Sequence, residues 1–199
     1  MKYKSRIDAY GEIAKKENNP TILNGRYIFQ ADSELLIPDD IKKKLFLSKS
    51  DDVLDIGCGS GDIALQISKE VNTITVCDHK NLIERIKKIN KLNNFRYAPL
   101  SFLDFDFCDQ KFSRILIYSV LQTLSTRVEL FKVLSKIKEL ILEGGRILIG
   151  DIPNIDKLNR FLSTERGKVF LKEWSKLKKK NKLNEVEVTK FVSKEIKTL

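Results

Sequence analysis

Apolar positions along the chain alternate between short continuous runs and stripes at helical spacing. The continuous runs predict five buried β-strands, at 53–56, 74–77, 95–103, 114–119 and 146–152. The stripes predict the intervening helices, at 61–69, 82–89 and 128–142. Strands that are apolar on both faces and alternate with helices are typical of a parallel sheet covered on both sides. Right-handed crossovers then make the sheet doubly wound.

The flanking segments are predicted to be helical. Residues 1–17 carry Tyr3, Ile7, Tyr10 and Ala14 on one helical face, Pro38 begins a second helix, and 156–181 reads as one long basic helix. The Glu-Gly-Gly at 143–145 is expected to end the last helix of the core. We therefore predict an α/β, doubly wound, mostly parallel Rossmann-like sheet with flanking helices and helical N- and C-terminal additions. Its expected parts are a helical cap (1–47), a Rossmann-like core (48–155) and a basic helical segment (156–199).

Composition fits one globular domain. The 199 residues are 42% hydrophobic and 32% charged, and no apolar run approaches the roughly 20 residues of a membrane span. The N-terminus lacks the apolar region of a signal peptide. The three cysteines, Cys58, Cys77 and Cys108, have neither metal-ligand nor disulfide spacing. The sequence thus predicts a cytoplasmic protein without a bound metal.

Charge is unevenly distributed along the chain. The formal net charge is +10, and from residue 157 onward there are 13 basic and 5 acidic residues, which gives +8. Such a segment fits either a solvated helix face or a docking surface for nucleic acid or an acidic lipid surface. Lysines outnumber arginines 28 to 9, whereas proteins that read phosphates and bases favour arginine. We therefore expect a small-molecule substrate, with nucleic acid as the second alternative.

The stretch DDVLDIGCGSG, residues 51–61, joins the first strand to the first core helix. Glycines at such a turn permit positive φ and let a ligand approach the backbone, and the helix that follows directs free N–H groups at it. The third glycine comes one residue too early for a dinucleotide fingerprint. Asp55, just before the loop, would repel a pyrophosphate. A ligand with both an amino cation and a carboxylate suits this loop better.

The motif VLDIGCGSG resembles the first motif of class I S-adenosylmethionine-dependent methyltransferases, and the resemblance covers about residues 50–152. It implies a methyltransferase with S-adenosyl-L-methionine as cofactor. In that family the glycine loop lies under the amino-acid part of the cofactor. The matching positions are Asp55, Gly57, Cys58, Gly59 and Gly61.

The resemblance also implies residues on the adenosine side of the cofactor. Asp78 ends the second strand, where the family's acid binds the ribose hydroxyls. His79 matches a position beside the adenine, with catalysis and plain surface as its alternatives. Ser101 and Phe102 occupy the place where the family often has an aspartate, so a hydroxyl and a ring would meet the adenine there.

The end of the fourth strand lines the methyl-donor pocket in that family, so Ile117 and Tyr118 are expected near cofactor or substrate, with sheet core as the alternative for Ile117. Asp151, which ends the fifth strand, is the first candidate for a general base, and Tyr118 is the second. The Asn-Pro-Pro-Tyr motif of enzymes that methylate base or glutamine nitrogens is absent. We expect a small polar acceptor such as a sugar or related metabolite, and the alternative is an RNA or protein methyltransferase that docks through the basic segment.

The family's sheet ends with two further strands. After residue 152 only 185–192 alternates like a strand. Either the chain is an incomplete form of a longer protein, or this sheet is shortened and its edge is covered, for example by a partner subunit. We therefore expect a monomer or a homodimer.

Overall fold

The computed structural model describes residues 6–180 and contains a five-stranded sheet. All neighbouring strands are parallel, in the order β3-β2-β1-β4-β5. The strands are β1 (Asp52–Ile56), β2 (Thr73–Cys77), β3 (Phe95–Ala98), β4 (Phe112–Tyr118) and β5 (Ile141–Gly150). The α-helices are α1 (Arg6–Ile13), α2 (Pro20–Leu23), α3 (Ala31–Glu34), α4 (Ile37–Leu45), α5 (Asp62–Ile67), α6 (Lys80–Ile89), α7 (Arg127–Leu140), α8 (Ile155–Ser163) and α9 (Glu165–Lys180). This architecture confirms the predicted fold class.

The sheet separates two apolar cores because successive residues of a strand point to opposite faces. In β1, Val53 packs with residues of α4, α5 and α6, whereas Leu54 packs with residues of α7. Both side chains are fully buried. The helices therefore cover both faces, and the carboxyl ends of β1, β2 and β4 converge at one edge, where doubly wound sheets bind their ligands.

The N-terminal helices fold back over that edge. The side chain of Asn81 in α6 donates to the carbonyl oxygen of Gly11 in α1 at 2.8 Å. Gly11 also lies so close to the His79 ring that an added Cβ would stand 2.3 Å from it. Leu23 of α2 and Leu82 of α6 are buried in the same small cluster. A helical cap thus closes over the ligand-binding edge of the sheet.

Two elements of the core differ from their predicted bounds. Strand β3 ends at Ala98 rather than at 103, because a turn follows in which Ser101 accepts from the backbone N–H of Asp104 and Phe105. The Glu-Gly-Gly at 143–145 does not end a helix: α7 stops at Leu140 and β5 begins with the next residue. These glycines form an irregularity in β5, with Gly144 at φ +71° and a shift in register against β4.

The predicted single C-terminal helix is two helices. Thr164 is extended and separates α8 from α9, and its side chain accepts the N–H of Gly167 at 3.0 Å. Gly167 lies directly against the carbonyl oxygen of Phe161, so the two helices meet at a close backbone contact. The predicted strand at 185–192 and the end of the predicted helix at residue 181 lie outside the described residues. Within residues 6–180, no strand pairs with the outer edge of β5, and no helix is long and apolar enough to cross a membrane.

Candidate methyltransferase active site

A cavity of about 450 Å³ lies between the cap and the carboxyl ends of β1, β2 and β4. The sheet contributes Asp55, the loop residues Gly57, Cys58 and Gly59, and Asp78. The cap contributes side chains from α1, α2 and the segment up to α4, among them Tyr10, Asn24 and Arg26. This volume is within the range of small-molecule and cofactor sites.

The glycine loop is shaped by left-handed backbone at the floor of this cavity. Gly57 and Gly59 have φ of +73° and +56°, which other residues rarely adopt. A Cβ on Gly57 would stand 2.4 Å from the Val120 side chain, and one on Gly59 would stand 2.6 Å from Asn24 Oδ1. Gly61, also with positive φ, is the N-cap residue of α5 and packs against Ile86 instead of lining the cavity.

Two buried carboxylates stand beside the loop. Asp55 is only 3% exposed, and its Oδ2 has no hydrogen-bond partner among the described residues. Burial raises the pKa of Asp55 to about 7, and repulsion from Asp78 adds to the shift. Burial also raises the pKa of Asp78 to about 6, although its carboxylate accepts the N–H groups of Gly59 at 2.8 Å and His79 at 2.7 Å. An unpaired buried acid is costly, so a cationic ligand group beside Asp55 would be strongly favoured.

The family match decides what kind of site this is. A family model for a methyltransferase domain matches residues 47–197. The chain belongs to this methyltransferase family. The match and the fold confirm the prediction of a class I S-adenosylmethionine-dependent methyltransferase, and with it the predicted cofactor.

Solved structures share the fold at low sequence identity. The N-methyltransferase NodS from Bradyrhizobium japonicum WM9, in complex with S-adenosyl-L-homocysteine, is 17% identical over 72% of this chain and 71% of its own, with a TM-score of 0.59. DhpI, in a complex with SAM and HEP, is 13% identical over 83% of this chain and 75% of its own, with a TM-score of 0.60. At these identities the likeness supports the fold.

The end of the cavity next to the carboxyl end of β4 is organised by Arg26. Its guanidinium is only 15% exposed and donates to Glu34 at 3.0 Å. The same group donates to Ser119 Oγ at 3.1 Å and to Asp151 Oδ2 at 2.9 Å, and it lies over the Tyr118 ring. Ser119 and Asp151 also hydrogen-bond to each other. Arg26 thus ties the cap to the carboxyl ends of β4 and β5.

The backbone at these two strand ends is unusual. Ser119 has φ of +59° and Asp151 has φ of +54°, the left-handed region that few residues other than glycine adopt. A residue keeps this strained conformation only where the surrounding contacts hold it in place, and such residues are often found at functional sites. Here the Arg26 guanidinium supplies a contact to both side chains.

The structure gathers some of the predicted site residues and separates others. Asp55, Gly57, Cys58, Gly59, Asp78 and Tyr118 line the cavity. His79, Ser101, Phe102, Ile117 and Asp151 do not line it, as far as residues 6–180 define its wall.

These five residues make other contacts. His79 caps α6 by accepting the N–H of Asn81 at 3.1 Å, and burial lowers its pKa. Phe102 and Ile117 are buried in the core beneath α7. Ser101 accepts the backbone hydrogen bonds of the turn after β3, and Asp151 contacts the cavity-lining Arg26 from outside. The cofactor contacts predicted for His79, Ser101, Phe102 and Ile117 therefore stay predictions.

The sequence interpretation missed the cap residues that enter the site. Asn24 accepts the N–H of Ser60 in the glycine loop at 3.0 Å and donates to Glu34 at 3.4 Å. With Arg26, these residues form a hydrogen-bonded chain from the glycine loop to Asp151. The only signal in the sequence was Arg26 itself, one of nine arginines in a lysine-rich protein. Among the described residues, no group of His, Cys, Asp or Glu side chains could hold a metal ion.

Proposed function

We propose that this methyltransferase transfers the methyl group of S-adenosylmethionine to a small polar acceptor, such as a sugar or related metabolite, inside the cavity beneath the cap. One observation carries the proposal: the cavity joins the glycine loop with its two buried carboxylates to the polar cluster around Arg26. The covering cap favours an acceptor that can enter the cavity whole. When bound, S-adenosylmethionine supplies an already activated methyl group, so the chain's own residues have to position the acceptor and exclude water.

The residues present fit this cofactor. The unpartnered Oδ2 of Asp55 offers a partner for the amino cation, and Asp78 offers a carboxylate for the ribose hydroxyls. Gly57 and Gly59 line the cavity without a side chain, so a ligand could approach their backbone. In this proposal Cys58 acts by packing: burial raises the pKa of its thiol well above the ordinary value, so the thiol is neutral.

Asp151 and Tyr118 are the two groups proposed to act in catalysis. Tyr118 lines the cavity, and burial raises the pKa of its hydroxyl, so it would orient an acceptor by hydrogen bonding as a neutral group. Asp151 has a side chain that is 47% exposed and is held by Arg26 and Ser119. A carboxylate held in this way has a fixed direction and would accept the proton of an acceptor hydroxyl at the cavity's edge.

Calorimetric titration with S-adenosylmethionine and S-adenosylhomocysteine tests the cofactor site. The wild-type protein is expected to bind both ligands, and Asp78→Ala is expected to weaken both by tenfold or more, on the order of 1.4 kcal/mol. Asp104→Ala, a carboxylate on the loop after β3 away from the cavity lining, is the matched control and should bind like wild type. A folded wild-type protein that binds neither ligand would refute the proposal.

A panel of hydroxyl, amine and carboxylate metabolites, assayed for S-adenosylhomocysteine release, tests the acceptor. Turnover of a small metabolite that Asp151→Asn reduces and Asp156→Asn does not would support the proposed base. Asp156 is the matched control because it lies in the first turn of α8, five residues beyond Asp151, whereas the ion pair with Arg26 is made by Asp151.

The second candidate is an RNA or protein methyltransferase. It is favoured by the exposed basic side chains of α8 and α9, which include Lys157, Arg160, Arg166, Lys168 and Lys172. Binding of total RNA that weakens steeply with salt, together with methyl transfer to it, would favour this candidate over a small acceptor.

A further inference from the structure

We propose that Trp174 in α9 is a positioning residue that holds Arg26 at the acceptor end of the cavity. The inference rests on the proposed function, because it assigns Arg26 to the acceptor side of that site. Trp174 does not line the cavity; it acts through an aromatic contact with the cap segment next to Arg26.

The contact consists of three rings. Tyr27 and Phe29 stack in parallel, with centroids 5.3 Å apart and an interplanar angle of 3°. The Trp174 ring meets both edge-on, at 5.6 Å from Tyr27 and 4.7 Å from Phe29. Stacked and edge-to-face pairs at these distances are the favoured aromatic geometries. We call these three side chains the aromatic latch.

The other side of Trp174 is fixed by the C-terminal helices. Its ring lies 5.4 Å from Phe170, which in turn meets Phe161 of α8 edge-on at 5.5 Å. The tight backbone contact between Gly167 and Phe161 holds α8 and α9 together. Trp174 therefore contacts the cap from a pair of helices, α8 and α9, that are packed against each other.

The latch bears on Arg26 because Tyr27 is the next residue in the chain. The N–H of Arg26 donates to the Thr21 carbonyl at 2.9 Å, and the N–H of Tyr27 donates to Gln30 Oε1 at 2.9 Å. Arg26 thus belongs to a short segment, 25–30, that is held by α2 on one side and by the aromatic latch on the other. The guanidinium of Arg26 reaches from this segment to Ser119 and Asp151 and donates hydrogen bonds to both side chains. Loss of the latch should free this segment and loosen the guanidinium, while the glycine loop keeps its own contacts.

The experiment compares Trp174→Ala, Trp174→Phe and Val169→Ala with wild type. Val169 is the matched control because it is an exposed apolar residue of α9 that is not among the rings of the latch. Hydrogen exchange of the 25–30 amides reports local opening, and labelling of Arg26 by phenylglyoxal, read by mass spectrometry, reports access to the guanidinium. Titration with S-adenosylhomocysteine reports the cofactor site.

Trp174→Ala should speed both exchange of 25–30 and labelling of Arg26 by about tenfold, as expected for the loss of two aromatic pairs. Trp174→Phe should recover part of the protection, Val169→Ala should match wild type, and affinity for S-adenosylhomocysteine should stay within about twofold. Equal rates in Trp174→Ala and Val169→Ala would overturn the inference, and so would faster exchange throughout the sheet, which marks a merely structural role. Exchange and labelling need no cofactor, so a wild type that fails to bind S-adenosylhomocysteine would refute the proposed function separately.

Discussion

Replacing Asp55 by asparagine should stabilise the free protein while weakening its cofactor binding. The carboxylate is buried, its Oδ2 is unpartnered, and Asp78 stands nearby with the same charge. Folding must therefore either hold a proton on Asp55 or bury an uncompensated charge. Asparagine has nearly the same shape and removes the charge.

The magnitude follows from the pKa of Asp55. A rise from 3.8 to about 7 corresponds to about 4 kcal/mol, at about 1.4 kcal/mol for each pKa unit. The folded state holds this proton more tightly than the unfolded chain does. The resulting contribution to the free energy of unfolding is therefore fully present below pH 3.8 and is lost as pH rises through about 7. The raised pKa of Asp78 also lowers the free energy of unfolding as pH rises, up to about pH 6. This loss of stability is present in wild type and variant alike.

Urea denaturation of wild type and Asp55→Asn at pH 5 and pH 8 measures the effect. We expect Asp55→Asn to be more stable than wild type by about 1.7 kcal/mol at pH 5 and by about 4 kcal/mol at pH 8, because the carboxyl of the unfolded chain is already ionised at pH 5. The same variant should bind S-adenosylhomocysteine tenfold or more weakly, since the amino cation loses its partner.

Asp51→Asn is the matched control, because Asp51 is equally buried but fully partnered. It accepts from Ser48 and Ser113 and pairs with Arg114 at 3.2 Å. This variant should lose stability at pH 8. If Asp55→Asn shows no advantage at pH 8, or one that does not grow between pH 5 and pH 8, the assignment of Asp55 as an uncompensated buried acid is wrong.

Three further substitutions test the cap and the loop. Gly59→Ala should lower affinity for S-adenosylhomocysteine by tenfold or more in calorimetry, because alanine at φ +56° is strained and its Cβ would meet Asn24. Unchanged affinity would contradict the left-handed backbone conformation at Gly59. Gly11→Ala should release α1 from α6, since its Cβ would overlap the His79 ring, and limited proteolysis should then cut α1 faster while the sheet stays protected. Arg26→Met should leave two carboxylates, Glu34 and Asp151, without their cation and destabilise the protein by about 1–3 kcal/mol in urea at pH 8. A variant as stable as wild type would rule out a stabilising role for these ion pairs.

The core could be predicted from the sequence because its signals are local. The strand from Val53 to Ile56 is a nearly continuous apolar run, and the three glycines that follow it permit the positive φ that a tight strand-to-helix turn needs. The two carboxylates at the site were also predictable, since Asp55 lies one residue before the end of β1, Asp78 directly follows β2, and parallel strands bring those ends together. Each of these inferences needs only the period of the pattern and the position of a residue within it.

The cap could not be predicted in the same way, because its contacts join residues far apart in the chain. Arg26 meets Ser119 and Asp151, which lie 93 and 125 residues further on, and no local pattern marks that encounter. The break at Thr164 was missed for a related reason: its neighbours keep a helical apolar spacing, and the break is fixed by the packing of Gly167 against Phe161.

The distribution of charge argues that the site is built for a cationic ligand at the expense of stability. The protein carries a net charge of +10, yet the described residues that line the cavity include four acids, Glu34, Asp55, Asp62 and Asp78, and one base, Arg26. Arg26 pairs with Glu34, and burial raises the pKa of the other three acids. Bulk charge cannot produce this contrast, because a basic chain that only needed to fold would place its buried acids beside some of its many lysines. Buried acids without cations lower the stability of the free protein and become favourable when a cation binds. S-adenosylmethionine is such a cation, because it carries a sulfonium as well as an amino group. The buried acids that destabilise the empty protein are therefore expected to favour binding of S-adenosylmethionine over S-adenosylhomocysteine, whose sulfur is uncharged.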